Sequence, residues 1–366
     1  RRKSRRIRRK AAKIAFERSK ADNVKHKSNG EEQNLPMKMM SFTKGLPHDE
    51  TTGLIQNENH FEAFRNGICS GNPDEIAKTP LGPTETFVSI DDKTARKQFW
   101  KSAKGKEKNI VRAWESSGAG LTFDLQGPDA QAVTMKAAPT LGSDELAAEM
   151  AEVYCQAVLR DIPFADFKNN ASVSQCLEVL NSLSHFKNGK RNGNRLTANN
   201  AFRGFTLGDL KGPYISQFLL AGNNGLGNEF KASDGYINYG SLLIDQRVRS
   251  AKKDLDYMTI WNEYLDVQNG ADFRELEEYE ETVPKRRFIT SGRDLATYVH
   301  YDALYEAYLN ACLLLLGAKA PFDKGVPFQD SDGEDKQQGF AHYGGPQILT
   351  LVTEVATRAL KAVRYQ

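Results

Sequence analysis

The sequence predicts an all-α fold, a helical bundle carrying long loops and minor strands. Three observations lead there. Four segments repeat apolar residues at helical spacing, each has recognisable start or stop residues, and the apolar clusters of strand type are short and few. With 366 residues, 39% apolar and 27% charged, the chain can bury one large core or two ordinary ones. Its composition is not that of a disordered or fibrous protein.

Composition divides the chain into a basic leader over 1–35, a loop-rich region over 36–142 packed on the bundle, and the bundle itself over 143–366. Residues 1–27 hold 13 basic and two acidic side chains, whereas the other 339 residues carry 37 basic against 45 acidic. The body is therefore acidic and only the leader is basic. Its Arg and Lys side chains could meet phosphates, but a solvated, disordered tail is the expectation and nucleic acid is not the expected partner. An ordered start is expected near Pro36 to Ser41. Between 42 and 143, Gly, Pro and Asn separate small clusters such as residues 86–90 and 121–125, read as short strands or helices within long loops.

The first strong helix follows Ser143, with Asp144 and Glu145 in its first turn, where the helix dipole favours anions. Leu146, Met150, Val153 and Ala157 mark its expected buried face, and Asp161-Ile162-Pro163 ends it. A second helix covers Val173 to Leu183 through Val173, Cys176, Leu177 and Leu180. The longest runs from about Arg293 to Leu316, capped by Ser291 and closed by Gly317, with Leu295, Val299, Leu304, Tyr308, Cys312 and Leu315 on one side. The last begins at Pro346, a favoured first helical residue, and continues through Leu351, Val355, Ala359 and Val363. The longest uninterrupted apolar stretch, Ala311 to Ala318, is far below the roughly 20 residues of a membrane helix. No membrane span is expected.

Several motifs reduce to ordinary structure. Gly222 to Gly227 reads GNNGLG without the Lys-Ser/Thr of a phosphate loop, so it is read as a turn region. Cys69, Cys155, Cys176 and Cys312 contain no CxxC pair, which excludes a zinc ribbon. Cys155 and Cys312 are expected in the core, and one disulfide is compatible with the count. The six histidines show no i, i+3 or i, i+4 pair, and His300 is read as a partly buried, satisfied side chain. The run Glu277 to Glu281 is a solvated face. One cluster is sharper. Phe328-Gln329-Asp330-Ser331-Asp332-Gly333-Glu334-Asp335 concentrates carboxylates around a glycine, an oxygen-rich arrangement suited to a hard divalent cation. Calcium binding through Asp330, Asp332, Glu334 or Asp335, helped by the Phe328 or Gln329 carbonyl, stands beside an ordinary acidic loop. The glycine is misplaced for an EF-hand and no Glu closes position 12.

The strings Gly212 to Leu220 (GPYISQFLL), Trp261 to Asp272 (WNEYLDVQNGAD), Arg293 to Leu316 and Gly344 to Gln366 resemble the vanadium-dependent bromoperoxidases of red algae and cyanobacteria, over about residues 40 to 366. The resemblance implies helical bundles related to bacterial acid phosphatases and a large homo-oligomer. It also implies a structural divalent cation in some members at the loop matching Phe328 to Asp335. The implied cofactor is vanadate, held by Lys and Arg with one His on the metal, and the implied substrates are hydrogen peroxide and halide, converted to hypohalous acid equivalents.

The family's Lys…Arg-Pro, Pro-Ser-Gly-His and Ser-Arg…His boxes are absent from this sequence, so no catalytic residue is carried over and Lys361 and Arg364 are not substituted for them. The expectation is an incomplete bromoperoxidase lacking its vanadate-binding half, consistent with Arg at position 1 and a helical pattern still running at Gln366. Two alternatives remain open here: a phosphatase-like hydrolase of the same superfamily, and a non-enzymatic scaffold or assembly subunit.

Overall fold

Capping side chains and glycines set where the helices begin and stop. The computed structural model describes residues 2–21, 24–31, 46–59, 132–187, 195–204, 207–210, 212–223, 234–269, 278–281, 285–323, 325–329 and 336–366, with single positions 62, 66 and 70. The clusters at 86–90 and 121–125, the start near residues 36–41, and Cys69 lie outside these. In order, the elements are α1 (Arg2–Ala21), α2 (Asp144–Leu159), α3 (Ala171–Ser182), α4 (Ser184–Lys187), β1 (Tyr236–Tyr239), β2 (Leu242–Asp245), β3 (Val248–Arg249), α5 (Trp261–Gln268), β4 (Arg286–Arg287), α6 (Gly292–Tyr301), α7 (Glu306–Gly317) and α8 (Gly345–Tyr365). Helix dominates, as expected. Among the described residues no helix is long and apolar enough to cross a membrane.

Two compact units are distinguished. The first comprises Arg1–Ala138, Leu255–Glu277 and Arg358–Gln366. Within it the Trp261 indole donates to the Glu50 carbonyl at 2.7 Å and the His48 N–H donates to Asn269 Oδ1 at 2.7 Å. Leu46, Ile55 and Leu265 are buried there. Burial holds the His48 imidazole below its ordinary pKa, outweighing its hydrogen bonds. In the leader, Arg2–Ala21 is one helix. Arg, Lys and Ala are good helix formers, and that intrinsic preference is independent of any buried face.

The second unit comprises Pro139–Asp254 and Glu278–Thr357. Ser143 caps α2 by accepting from the Leu146 N–H at 3.1 Å, and Asn170 caps α3 by accepting from the Ser172 and Val173 N–H groups. Ala148, Cys155, Leu180, Phe186, Leu196 and Ala201 form a core between α2, α3 and α4, with Cys176 and Leu177 packed against it. Leu180 is fully buried, a contribution of about 1.5–3 kcal/mol from apolar transfer. The buried face of α2 is not the expected one. Ala148, Glu152, Cys155 and Leu159 face inward, while Met150 and Val153 are 64% and 60% exposed. Small side chains let α3 approach closely, and the Glu152 carboxylate accepts from the Phe202 N–H at 2.9 Å, so a polar residue is buried with a partner.

The strands form two antiparallel pairs, with Tyr236 opposite Asp245 in β1–β2 and Val248 opposite Arg287 in β3–β4. Gly240 turns the first hairpin at a positive φ of 59°, a conformation that costs glycine little. Ile237 of β1 packs with Ala221, Leu313 and Leu314, joining the hairpin to α7.

The long helix expected over Arg293–Leu316 is two helices. Asp302 is extended at ψ 152°, ending α6, and the Glu306 carboxylate reaches back to the Ala303 N–H at 2.9 Å, starting α7. That local bond satisfies a helix-start donor and competes with continuation. The apolar stripe read across the break therefore has no common face, and Val299, Leu304, Tyr308 and Leu315 are exposed.

The start of α6 is fixed by charge. Asp294, with no exposed surface, accepts from Arg287 Nη2 at 2.8 Å, from the Thr290 hydroxyl at 2.9 Å and from the Thr290 N–H at 3.1 Å. Next to it Arg293 donates through Nη2 to Asp161 at 2.7 Å, and the Arg293 N–H donates to the Arg160 carbonyl at 2.8 Å. Burial pulls the Asp161 pKa up, but the hydrogen bonds from Arg293 and the Asp254 N–H, with the charges of Arg293 and Arg160, outweigh it and hold it below the ordinary value. A carboxylate so depressed stabilises the fold above its unfolded pKa of about 3.9, and that stabilisation is lost as pH falls through the lower folded value. Asp161→Asn is expected to lower stability at pH 7 by about 1.5–3 kcal/mol and to flatten the acid limb. Urea midpoints at pH 7 and at successive points below pH 4 measure both, and equal curves for the two proteins would rule the pairing out as a source of stability.

Candidate functional site

Between α7 and α8 the described residues form no helix or extended strand and line a cleft of about 580 Å³. Its apolar wall is Leu316, Phe322, Phe328 and Tyr343, and its polar wall includes Gln329, Lys336 and Gln337. Gln329 holds the two sides together. Its Nε2 donates to the Tyr343 carbonyl at 2.7 Å and to the Pro327 carbonyl at 3.2 Å. The Tyr343 N–H in turn donates to Gln347 Oε1, on the first turn of α8. Aromatic edges complete the contact, with the Phe328 ring 5.2 Å from His342 and 6.2 Å from Tyr343.

Phe328 and Tyr343 both lie in the left-handed region, at φ 64° and 56°. Bulky residues adopt it only where surrounding contacts over-determine the backbone. At this site those contacts are the Gln329 bridge and the aromatic trio. Gly339 and Gly344 make the return turn possible. A Cβ on Gly344 would collide with the Gly339 carbonyl carbon, and one on Gly339 would sit 2.8 Å from the Tyr343 carbonyl oxygen.

Of the sequence-predicted cation ligands, Phe328 and Gln329 are on the cleft wall, while Asp330, Asp332, Glu334 and Asp335 lie outside the described residues. Among the described residues no three His, Cys, Asp or Glu side chains cluster as a metal site would. The described part of the site thus carries three glutamine amides and Lys336, and in sequence it stops at Gln329 and resumes at Lys336 on either side of the acidic run 330–335. Sequence reading did not single out Lys336, Gln337 or Tyr343. The available signal was the spacing of Gly339, Gly344 and Gly345 around an aromatic pair, which marks a backbone doubling back on itself.

The other positions singled out in the sequence fall elsewhere. Cys155 and Cys312 are buried as expected. His300 is exposed rather than partly buried and stacks on Tyr301 at 4.5 Å. Buried Arg293 is committed to Asp161 and half-buried Arg287 to Asp294. Among the described residues no group of buried cations converges with a histidine, so the residues described do not fit a vanadate site.

No protein-family profile matches the chain. It is 45% identical over 357 residues to the vanadium-dependent bromoperoxidases of Corallina officinalis and Corallina pilulifera, an alignment covering 90% of this chain and 58% of each relative. The vanadium-dependent bromoperoxidase of Ascophyllum nodosum is 27% identical over 327 residues. Among solved structures, the homohexameric second vanadate-dependent bromoperoxidase of Ascophyllum nodosum superposes with a TM-score of 0.69 at 25% identity, covering 96% of this chain and 53% of that one. The chain thus spans little more than half the length of these relatives.

The close packing at the return turn generates a paired expectation. Gly344→Ala should lower stability by about 1–3 kcal/mol, since backbone must move to admit the methyl. Gly345→Ala, whose Cβ would meet only Leu316 Cδ1 at 3.9 Å, should be neutral. Thermal midpoints of the two variants distinguish them, and equal midpoints would contradict the turn geometry.

Proposed function

We propose that the chain belongs to the vanadium-dependent bromoperoxidase family over the length it spans, and that it serves the oxidation of bromide by hydrogen peroxide to hypobromous acid equivalents. The observation that carries this reading is the 45% identity over 357 residues. In this proposal the 366 residues supply helical scaffold, and the Lys, Arg and His side chains that hold vanadate lie outside them. The absence of the three boxes from the sequence supports it, as does the commitment of Arg293 and Arg287 to carboxylates. An oxyanion loses its charge-assisted hydrogen bonds without free cations. The 366-residue chain, incubated with vanadate, peroxide and bromide, should show no bromination of a diketone dye. Robust vanadate-dependent turnover by this chain would refute the division of labour.

Self-association belongs to the same reading. Tyr154, Met150, Val153 and Val158 form an exposed apolar stripe on α2, 54–73% exposed, and Leu351 and Val355 form another on α8. Soluble monomers rarely expose such areas, and the relative in Ascophyllum nodosum is a homohexamer.

We also propose that segment 328–335 binds calcium, through Asp330, Asp332, Glu334 or Asp335 and the Phe328 or Gln329 carbonyl. The four carboxylates concentrated around Gly333 in the sequence support this, because calcium takes six to eight oxygen ligands in flexible geometry. A cation bound to the folded state alone raises apparent stability by mass action. The thermal midpoint should rise in calcium relative to chelator, and Asp332→Ala should abolish the difference. Equal midpoints throughout would mark the segment as an ordinary acidic loop.

A further inference from the structure

We propose that Cys155 and Cys176 are a dithiol pair that closes to an intramolecular disulfide on meeting a two-electron oxidant of the peroxide or hypohalous acid class. Cys155 lies on α2 and Cys176 on α3, each packed where the two helices meet. They share the apolar cluster of Ala148, Leu180 and Phe186. Both are thiols in this structure, Cys155 buried and Cys176 half-buried. A disulfide between them would join α2 to α3 across the packing they already share.

The difference in exposure sets the order of events. The half-buried Cys176 meets the oxidant first. Its sulfur attacks a peroxide oxygen, the O–O bond breaks, and Cys176 sulfenic acid and one water form. The Cys155 sulfur then attacks the Cys176 sulfur, the S–O bond breaks, and the departing hydroxide takes the Cys155 proton as a second water. Two thiols lose two electrons and two protons, and one peroxide becomes two waters. With hypohalous acid the first step gives a sulfenyl halide and water, and the second releases halide and a proton.

Burial, then the Cys176 hydrogen bond and the Cys176 and Glu152 charges, pushes the Cys155 thiol up to about 12. A thiol so protonated is a poor nucleophile towards dissolved oxidant, which leaves the first oxidation to Cys176. Cys312, on α7, is also buried with its thiol pushed up by burial, and serves as an internal control. The pair stands apart from the bromination reading, because hydrogen peroxide alone is the test reagent.

The whole chain, fully reduced and desalted, is treated with hydrogen peroxide, quenched with catalase, and alkylated under denaturing conditions without reductant. Expected are the loss of two alkylatable thiols, an unalkylated mass lower by about 2 Da, and a peptide joining Cys155 to Cys176 that dithiothreitol separates. A Cys69→Ser/Cys312→Ser variant should behave the same, while Cys176→Ser should keep Cys155 alkylatable. Three results would overturn the proposal: an unchanged thiol count at peroxide levels that oxidise glutathione, a link from either cysteine to Cys69 or Cys312, or Cys176 advancing to sulfinic acid with Cys155 still a thiol. The peptide map of the unsubstituted chain is decisive, so a variant that fails to fold leaves the test intact.

Discussion

The buried Asp294 carboxylate is the constraint around which the second unit is arranged. A charge with no exposed surface costs several kcal/mol to desolvate, and the cost is offset only where donors surround it. Arg287 arrives from β4, Thr290 from the segment before α6, and Ser291 caps the same helix turn by accepting from the Asp294 N–H. One side chain therefore specifies the strand pair, the approach to α6 and the helix start together. The neighbouring Arg293–Asp161 pair extends the arrangement to the end of α2, where Phe164 N–H donates to the Thr290 carbonyl at 2.9 Å.

Downstream, the same principle operates with neutral groups. The break between α6 and α7 redirects the chain, and Leu313 and Leu314 then anchor α7 to Ile237 of the hairpin. Beyond α7, Gln329, Tyr343 and Gln347 give the described residues fixed partners. Left-handed Phe328 and Tyr343 are held by these bonds and by aromatic contact, and Gln347 ties the turn to the start of α8.

Much of the fold was legible locally. Ser143, Ser291, Gly317 and Pro346 mark helix ends by capping and backbone chemistry that needs only neighbours in sequence, and each marks a helix end in the structure. Val173, Cys176, Leu177 and Leu180 likewise fall on the packed face of α3. The cleft was less legible. Its wall joins residues on either side of the acidic segment, and the Gln329 bridge to Tyr343 leaves no periodic signal.

The amino-acid sequence alone determined the helical class, most helix starts, the basic leader and acidic body, the acidic run at 330–335 and the family resemblance, because each rests on local periodicity, composition or long strings of residues. Tertiary structure decided which face of α2 is buried, that the Arg293–Leu316 run is broken, and that Cys155 and Cys176 share one apolar cluster. A helix with apolar residues on more than one side offers several faces of similar hydrophobicity. Only the shape and charge of its neighbours, here the close approach of α3 and the Phe202 N–H that satisfies Glu152, select among them.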